Sequence, residues 1–313
     1  MEFKLCSFNC KGFNISKVKH MSEILLNCDI LMLQETWLLT SQIGTINQYF
    51  SNFNTYGISG MDENKLIMGR RHGGCSYLFK KSLSSSVMYI ELNSKRVCCI
   101  AIKTNFGILY IFNVYLPCDT PNNEFLHDYN DVLSIISTCL DKHNIEYCII
   151  VGDLNTDLSR IRSGNTLSLN AFIEKENLEY VLKNVPNNVQ YTFTGVSSNH
   201  SLIDHYIISQ NLCNNIVDYF TEDSVDNLSD HVPLYFTLCC NINFNLCKET
   251  NDKNSRKSKP QWSAASEEQI KSYQSDLNNR LACFTLSQHI VHCNCISTCT
   301  HSLDFTLFQH VMP

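Results

Sequence analysis

The sequence predicts an α/β domain of two mixed β-sheets packed face to face with helices outside, and three observations carry that expectation. Helical periodicity is interleaved with short apolar runs at both ends of residues 1-240. The middle is a succession of strand-like runs with no helix between them, which a purely parallel, doubly wound sheet does not fit. Several of the runs also stop at a polar residue of metal-ligating or acid–base type.

In chain order, Phe3 to Phe8 reads as a first strand ending at Asn9, with Lys11 and Gly12 favouring a loop. Val18, Met21 and Leu25 then recur at helical spacing, with Ser16 placed to cap. Ile30 to Leu33 is a continuous apolar strand that ends in Gln34, Glu35 and Thr36. From about Gly57, four runs follow, Cys75 to Phe79, Val87 to Leu92, Val97 to Ile102 and Ile108 to Val114, separated by turn formers and read as consecutive antiparallel strands. The last ends in Tyr115, Leu116 and Pro117. A second helix presents Phe125, Tyr129, Val132, Leu133, Ile136 and Leu140 on one face. It leads into IIVGDLNTD, residues 149–157, an apolar strand that delivers Asp153 and Asn155 on one side if the extended geometry continues. A weaker helix (Leu169, Phe172, Ile173), the strand Ile207-Ile208 entered through Asp204-His205, and a strand from Val232 to Leu238 entered through Asp230-His231 complete the domain. Pro233 is tolerated near that strand's start.

The chain has 313 residues, 44% of them apolar, enough for a sizeable core. Its formal net charge of -6 gives no global signature of nucleic-acid binding. Basic pairs such as Arg70-Arg71, Lys80-Lys81, Lys95-Arg96 and Arg160/Arg162 read first as solvated faces that could still touch phosphate. Many of the 17 cysteines sit in apolar runs, including Cys75, Cys98, Cys99 and Cys148, so a reducing compartment is expected. No export signal or membrane span is legible, which predicts an intracellular protein, nuclear or cytoplasmic. Residues 241-313 begin with a polar, charged linker and continue with one helix from Ser266 or Glu267 bearing Ile270, Tyr273, Leu277 and Leu281. This tail is expected to pack loosely.

The polar residues at the strand ends are Asn9, Glu35, Tyr115, Asp153, Asn155, Asp204, Asp230 and His231. Taken singly, each has a plainer reading: Asp-x-Asn is a turn, Asn9 a turn former, Asp204 and Asp230 caps, His231 a structural histidine. Together they form an oxygen-rich set with no cysteine, which suits a hard cation such as Mg²⁺ and disfavours zinc.

In their order along the chain, SFNCKG, LQETW, YLP, GDLN, IDHY and SDHVP resemble the endonuclease/exonuclease/phosphatase superfamily over roughly residues 1 to 240. That resemblance implies a four-layered α/β/β/α sandwich with its site at one edge and Mg²⁺-dependent cleavage of phosphoesters, with Mn²⁺ as a substitute. It places Glu35 on the metal, helped by Asn9 and Asp230. It also has Asp153 orient and deprotonate the attacking water with Asn155 beside it, and has His231, supported by Asp204, and Tyr115 bind the phosphate. Whether Asp153 or His231 is the base, and whether one metal acts or two, stays open. Within the superfamily SFNCKGFN, LQETWL and YTF followed by IDHY are most similar to the endonucleases of non-LTR retrotransposons, which implies nicking of one DNA strand. Abasic-site DNA repair, an RNA or small-phosphate substrate, and an unused relic are the competing readings. Gln261-Trp262 with Ala264, Glu267, Ile270 and Tyr273 resembles the segment that joins such endonucleases to a reverse transcriptase. No such moiety follows Pro313, so a fragment or captured copy is expected. His292, Cys293, Cys295, Cys299 and His301 have zinc-binding types, but their tight spacing favours an incidental cluster.

Overall fold

The computed structural model describes residues 1–63, 69–185, 189–196, 198–242 and Lys271. The chain parts into two units, Met1–Glu249 and Thr250–Pro313. The expected tail helix, save Lys271, and the Cys/His cluster of residues 292–301 fall outside the described residues.

The first half runs β1 (Glu2–Asn9), α1 (Val18–Leu26), β2 (Ile30–Gln34), α2 (Thr40–Ile43), β3 (Phe53–Ile58), β4 (Cys75–Lys80), β5 (Val87–Ile90), β6 (Val97–Thr104) and β7 (Gly107–Tyr115). The second runs α3 (Leu126–His143), β8 (Tyr147–Asp153), α4 (Gly164–Lys175), β9 (Leu178–Tyr180), β10 (Phe193–Thr194), β11 (His200–Ser201), β12 (Asp204–Ser209), β13 (Ile216–Thr221) and β14 (Leu234–Cys239). Two six-stranded sheets result, ordered β13-β14-β1-β2-β4-β3 and β5-β6-β7-β8-β12-β9, while β10 and β11 form a small hairpin of their own.

Alternation along the central strands makes four layers. Phe3, Leu5, Ile30 and Met32 of one sheet and Leu109, Ile111, Ile149 and Val151 of the other share the core between the sheets. The opposite faces take the helices: Cys6, Phe8, Leu31 and Leu33 pack with Met21, Ile24 and Leu25 of α1. Phe112, Val114, Cys148 and Ile150 pack with Tyr129, Val132 and Ile136 of α3 and with Leu169 and Phe172 of α4. A strand buried on both faces must read as an unbroken apolar run, which is why these strands were legible. Burying each such side chain contributes roughly 1.5–3 kcal/mol, so the faces hold the layers together.

Each sheet is centred on a parallel pair, β1 with β2 and β7 with β8, and a helix makes each crossover, α1 in the first and α3 in the second. A parallel pair ends both of its strands at the same edge. Asn9 therefore sits beside Gln34, and Tyr115 beside Asp153. Antiparallel β12 starts at that edge, with Asp204 opposite Asp153, and β14 starts opposite Ser7.

Just below the edge the core turns polar. Gln34 Nε2 donates to Asn113 Oδ1 across the sheets at 2.7 Å, and Asn113 Nδ2 donates to the carbonyls of Leu33 and Ser76 at 3.1 and 3.0 Å. The Tyr77 hydroxyl lies 2.8 Å from both the Cys98 and the Ile111 carbonyl, which share its one proton, and accepts the Asn113 amide at 2.9 Å. These buried groups satisfy one another, so the layer fixes how the sheets register beneath the site.

Some local expectations are corrected. The residues from Cys75 to Val114 are not one antiparallel meander: β4 pairs with β2 and β3 in the first sheet, and only β5, β6 and β7 are consecutive neighbours in the second. The chain changes sheets between β4 and β5. Asn14, not Ser16, caps the helical turn leading into α1, its side chain accepting the Ser16 amide. Phe125 is an exposed cap of α3 rather than part of its buried face, and Pro233 precedes β14. Strands β3, β9 and β13 had no counterpart in the sequence reading.

Candidate active site

The residue at each strand end is held by its neighbours' backbones. Cys10, Gly12 and Phe13 donate their amides to the carbonyls of Gln34, Glu35 and Thr36 at 3.0, 2.7 and 2.9 Å, which laces the loop after β1 to the loop after β2. Thr36 and Trp37 donate in turn to Gly74 and Gly73 at 3.2 and 2.9 Å. Lys11, Glu35, Trp37 and Asn155 all have left-handed backbones, with φ of 47°, 50°, 58° and 47°. Such strain in residues with side chains persists only where surrounding structure over-determines it. Gly12 (φ +88°) is a steric necessity as well, since a Cβ there would lie 2.2 Å from the Trp37 ring.

Asn9 is fully buried at the centre. Its Nδ2 donates to Glu35 Oε1 at 3.1 Å and to Asp153 Oδ2 at 2.8 Å, so one amide joins a carboxylate from each sheet. Its Oδ1 accepts the Lys11 amide at 3.1 Å. The second oxygen of Glu35 accepts Trp37 Nε1–H at 3.0 Å.

On the other side, His231 Nδ1 is bonded to Asp204 Oδ2 at 2.8 Å, and Nε2 faces Asp153 Oδ2 at 3.8 Å. The Phe193 ring lies 5.0 Å from the imidazole. Burial works against the charged imidazole, but Asp204 and then Asp153 outweigh it and raise His231 to about 9. Asp153 moves the same way for a different reason: burial, then the Asp204 charge, push its carboxyl up to about 7, with His231 and Asn9 opposing. Burial, then Glu35 and Asp153, keep the Tyr115 phenol protonated and able to donate.

The extended geometry expected to carry Asp153 and Asn155 to one side does not continue. Asp153 Oδ1 accepts the Asn155 amide at 3.0 Å, closing a turn, and Asn155 Nδ2 donates to the Leu116 carbonyl at 2.8 Å. The turn and the site are therefore the same feature, because the turn aims Asp153 while pinning the loop after it.

Glu35, Tyr115, Asp153, Asn155, Asp230 and His231 line one cleft of about 490 Å³, with Asn9 and Asp204 buried behind. Its rim contains Lys11, Arg70, Arg71, His72 and Arg160, so two of the basic clusters first read as ordinary solvated faces sit at the site. Arg70 lies over the Trp37 ring at 4.1 Å. Arg71 donates to Gln42 Oε1 at 2.9 Å and Arg160 lies 4.0 Å from Asp157, while Lys80, paired with Asp29 at 2.7 Å, and Lys95, paired with Asp62 at 3.5 Å, do not line the cleft.

Two acidic groupings are candidates for a cation. Asp153, Asp204 and His231 have ligand atoms within 4.8 Å of one another, but they are buried and bonded to each other or to Asn9. They form an acid–imidazole chain more readily than a coordination cage. Glu35 and Asp230 are only half-buried, open on the cleft, and supply the carboxylate oxygens a hard cation takes. Asp230 Oδ2 is already matched with one cation, the Lys11 ammonium at 2.5 Å.

Sequence reasoning missed Lys11, Trp37 and His205. His205 faces the helices instead of the cleft, and its Nε2 is 2.7 Å from the Thr156 carbonyl, anchoring the loop after Asp153. Its place one residue after Asp204 in a strand was a usable signal, because alternation sends it to the opposite face.

A sequence search of curated proteins finds no match. Solved structures do match in fold. The catalytic domain of Xenopus laevis APE2 superposes with a TM-score of 0.61 at 18% identity, covering 78% of this chain and 95% of that one. The AP endonuclease LMAP from Leishmania major gives 0.59 at 16% identity, covering 76% and 87%. The endonuclease domain of TRAS1, a telomere-specific non-LTR retrotransposon, gives 0.55 at 12% identity, covering 76% and 98%. The family model described as Endonuclease/Exonuclease/phosphatase matches residues 6–231, an interval that opens inside β1 and closes on His231, and the chain belongs to that family.

Proposed function

We propose that this chain is a divalent-cation-dependent DNA endonuclease of the retrotransposon type, nicking one strand by attack of water on a backbone phosphodiester. The observation that carries the reading is the buried Asp153–His231–Asp204 chain on the floor of a cleft with an arginine-bearing rim. The motifs SFNCKGFN, LQETWL and YTF with IDHY support the subtype, and the fold, shared alike with AP endonucleases and with the TRAS1 domain, is compatible with it.

In this reading Asp153 is the base. Its carboxyl, raised to about 7, is matched to accepting a proton near neutrality, whereas His231, raised to about 9, already holds one. Water gives its proton to Asp153 as its oxygen bonds to phosphorus, and the bond from phosphorus to the 3′ oxygen breaks with its electron pair going to that oxygen. The 3′ alkoxide takes a proton from solvent to become the 3′ hydroxyl, while Asp153 returns its proton to solvent. The His231 imidazolium and the Tyr115 phenol donate to the phosphate oxygens where charge builds. Asn155 keeps the loop after Asp153 closed through its bond to Leu116. Glu35 and Asp230, with Asn9 beside them, would hold Mg²⁺, which supplies phosphate polarisation and relief of charge on the leaving oxygen. Mn²⁺ has the oxygen preference to substitute. Arg70, Arg71 and Arg160 would meet flanking phosphates, so binding should weaken steeply with salt.

The test is nicking of supercoiled plasmid by the full chain, with an abasic oligonucleotide as competitor. Nicking is expected with Mg²⁺, none in EDTA, and a loss on the order of 10²- to 10⁴-fold in Asp153→Ala or His231→Ala. Absence of cleavage on every DNA with Mg²⁺ present would remove the reading. A strong preference for the abasic oligonucleotide would move it to the repair class.

A further inference from the structure

Lys11 occupies a place that the catalytic scheme does not use. Its backbone is fixed from both sides: its amide donates to Asn9 Oδ1 at 3.1 Å, and its carbonyl accepts from the buried Lys17 ammonium at 2.8 Å. Lys17 also takes the Cys10 carbonyl. With the loop held, the Lys11 side chain reaches across to Asp230 Oδ2 at 2.5 Å, a contact between residues 219 positions apart. Both side chains line the cleft, with relative exposures of 44% and 27%.

Asp230 is thus claimed twice, by the ammonium and by the divalent ion of the proposed reaction. An ammonium and a dication on the same carboxylate repel each other. Partly exposed ion pairs are weak, so a dication with further oxygen ligands from Glu35 can draw the carboxylate away. The released ammonium then lies in the cleft on a flexible stem. A phosphate is the anion whose chemistry suits it there.

We infer that Lys11 is an exchangeable cation of this site: it holds Asp230, yields that carboxylate to a divalent ion, and then binds a DNA phosphate. The inference rests on the nuclease reading above. It deepens that reading by making metal binding and phosphate binding linked events, since the metal frees a phosphate ligand and a phosphate that captures Lys11 frees a metal ligand.

The experiment measures binding, not turnover. Mg²⁺ is titrated calorimetrically into the full chain without DNA, for wild type, Lys11→Met and Lys11→Arg. Lys11→Met is expected to bind Mg²⁺ on the order of 3- to 10-fold more tightly, and Lys11→Arg to stay near wild type. DNA affinity is then followed by fluorescence anisotropy across a salt series, all proteins carrying Asp153→Ala to prevent cleavage. With Mg²⁺ the salt slope of Lys11→Met should be shallower by about 0.9, the loss of one phosphate contact, while in EDTA the slopes should coincide. Lys11→Gln, which keeps a donor for Asp230 without the charge, repeats both comparisons in case Lys11→Met packs poorly. Unchanged or weaker Mg²⁺ binding in both neutral variants overturns the exchange, as does an equal salt slope with Mg²⁺. If wild type nicks plasmid and binds Mg²⁺ but these variants behave like it, only the exchange falls. If wild type neither binds Mg²⁺ nor nicks, the nuclease reading falls and takes the exchange with it.

Discussion

His231 is charged because of Asp204, and that dependence can be measured. The imidazole is buried, which alone would lower its pKa below 6.5, yet the Asp204 carboxylate at 2.8 Å and Asp153 behind it lift the value to about 9. Asp204→Asn keeps a side chain of the same shape and removes the charge. The His231 titration, followed by NMR, should then fall well below about 9, and the alkaline limb of the nicking profile should move to lower pH with it. An unshifted limb would mean that His231 does not act as the cation assigned to it. At this scale the sequence showed the residues whose type and strand-end place coincide, from Asn9 to His231. Lys11 and Trp37 lie inside the motifs SFNCKG and LQETW, but nothing local marks them, because their partners are set by the fold. Lys11 meets a carboxylate 219 positions away, and Trp37 needs the left-handed turn at Glu35 to bring its Nε1–H back to that side chain.

The elements that build the site are the ones buried on both faces. Strands β1, β2, β7 and β8 read as apolar runs because no side of them meets water, and their ends were sharp for the same reason. Edge strand β3 has only half-buried residues and β13 only one fully buried, so neither has the texture that marks a strand. The pairing of β4 with β2 and β3 was equally hidden, since sheet membership is a long-range choice that local pattern does not encode. Gly152 illustrates what was half legible: its place before Asp153 was plain, but not that a Cβ there would stand 2.0 Å from the Val114 carbonyl oxygen of the neighbouring strand. The same strands depend on the buried amide layer. Asn113→Ala removes the shortest of the bonds made by Gln34 Nε2, which keeps Ser7 Oγ at 3.2 Å, and takes the side-chain amide away from the Leu33 and Ser76 carbonyls, at a cost of ~2–4 kcal/mol. Urea unfolding should show that loss. Nicking at a temperature where the variant remains folded should fall too, because Gln34 immediately precedes Glu35. Full activity beside a large stability loss would mean that the layer supports the sandwich without aiming Glu35.

At the scale of the whole molecule, the site and the scaffold pull stability in opposite directions along the pH axis. His231, raised to about 9, contributes stability that is complete below its unfolded value of 6.5 and is lost as pH rises through about 9. Asp153, also raised, adds a loss between 3.8 and about 7 as its buried carboxyl ionises. His20 and His205 behave in the reverse sense. Burial lowers both, so each is neutral in the folded protein and takes up a proton more readily when unfolded. Their contribution is complete above 6.5 and is lost as pH falls through that value toward their lower folded pKa values. His20 is the cleaner probe: it packs edge-on to Phe8 at 5.4 Å on the outer side of β1, away from the cleft, with Glu23 4.0 Å from its ring. Neither ring nitrogen has a hydrogen-bond partner among the described residues. His20→Leu keeps an apolar side chain against Phe8 and deletes the titration. Asp153 and His231 oppose this loss over the same interval, so the difference between proteins is the readout: on going from about pH 7.5 to about pH 5.5 the urea midpoint of His20→Leu is expected to shift upward relative to that of wild type, with nicking near neutrality unchanged. An identical change in both proteins would leave the acid-sensitive contribution to His205 and the loop it anchors after Asp153.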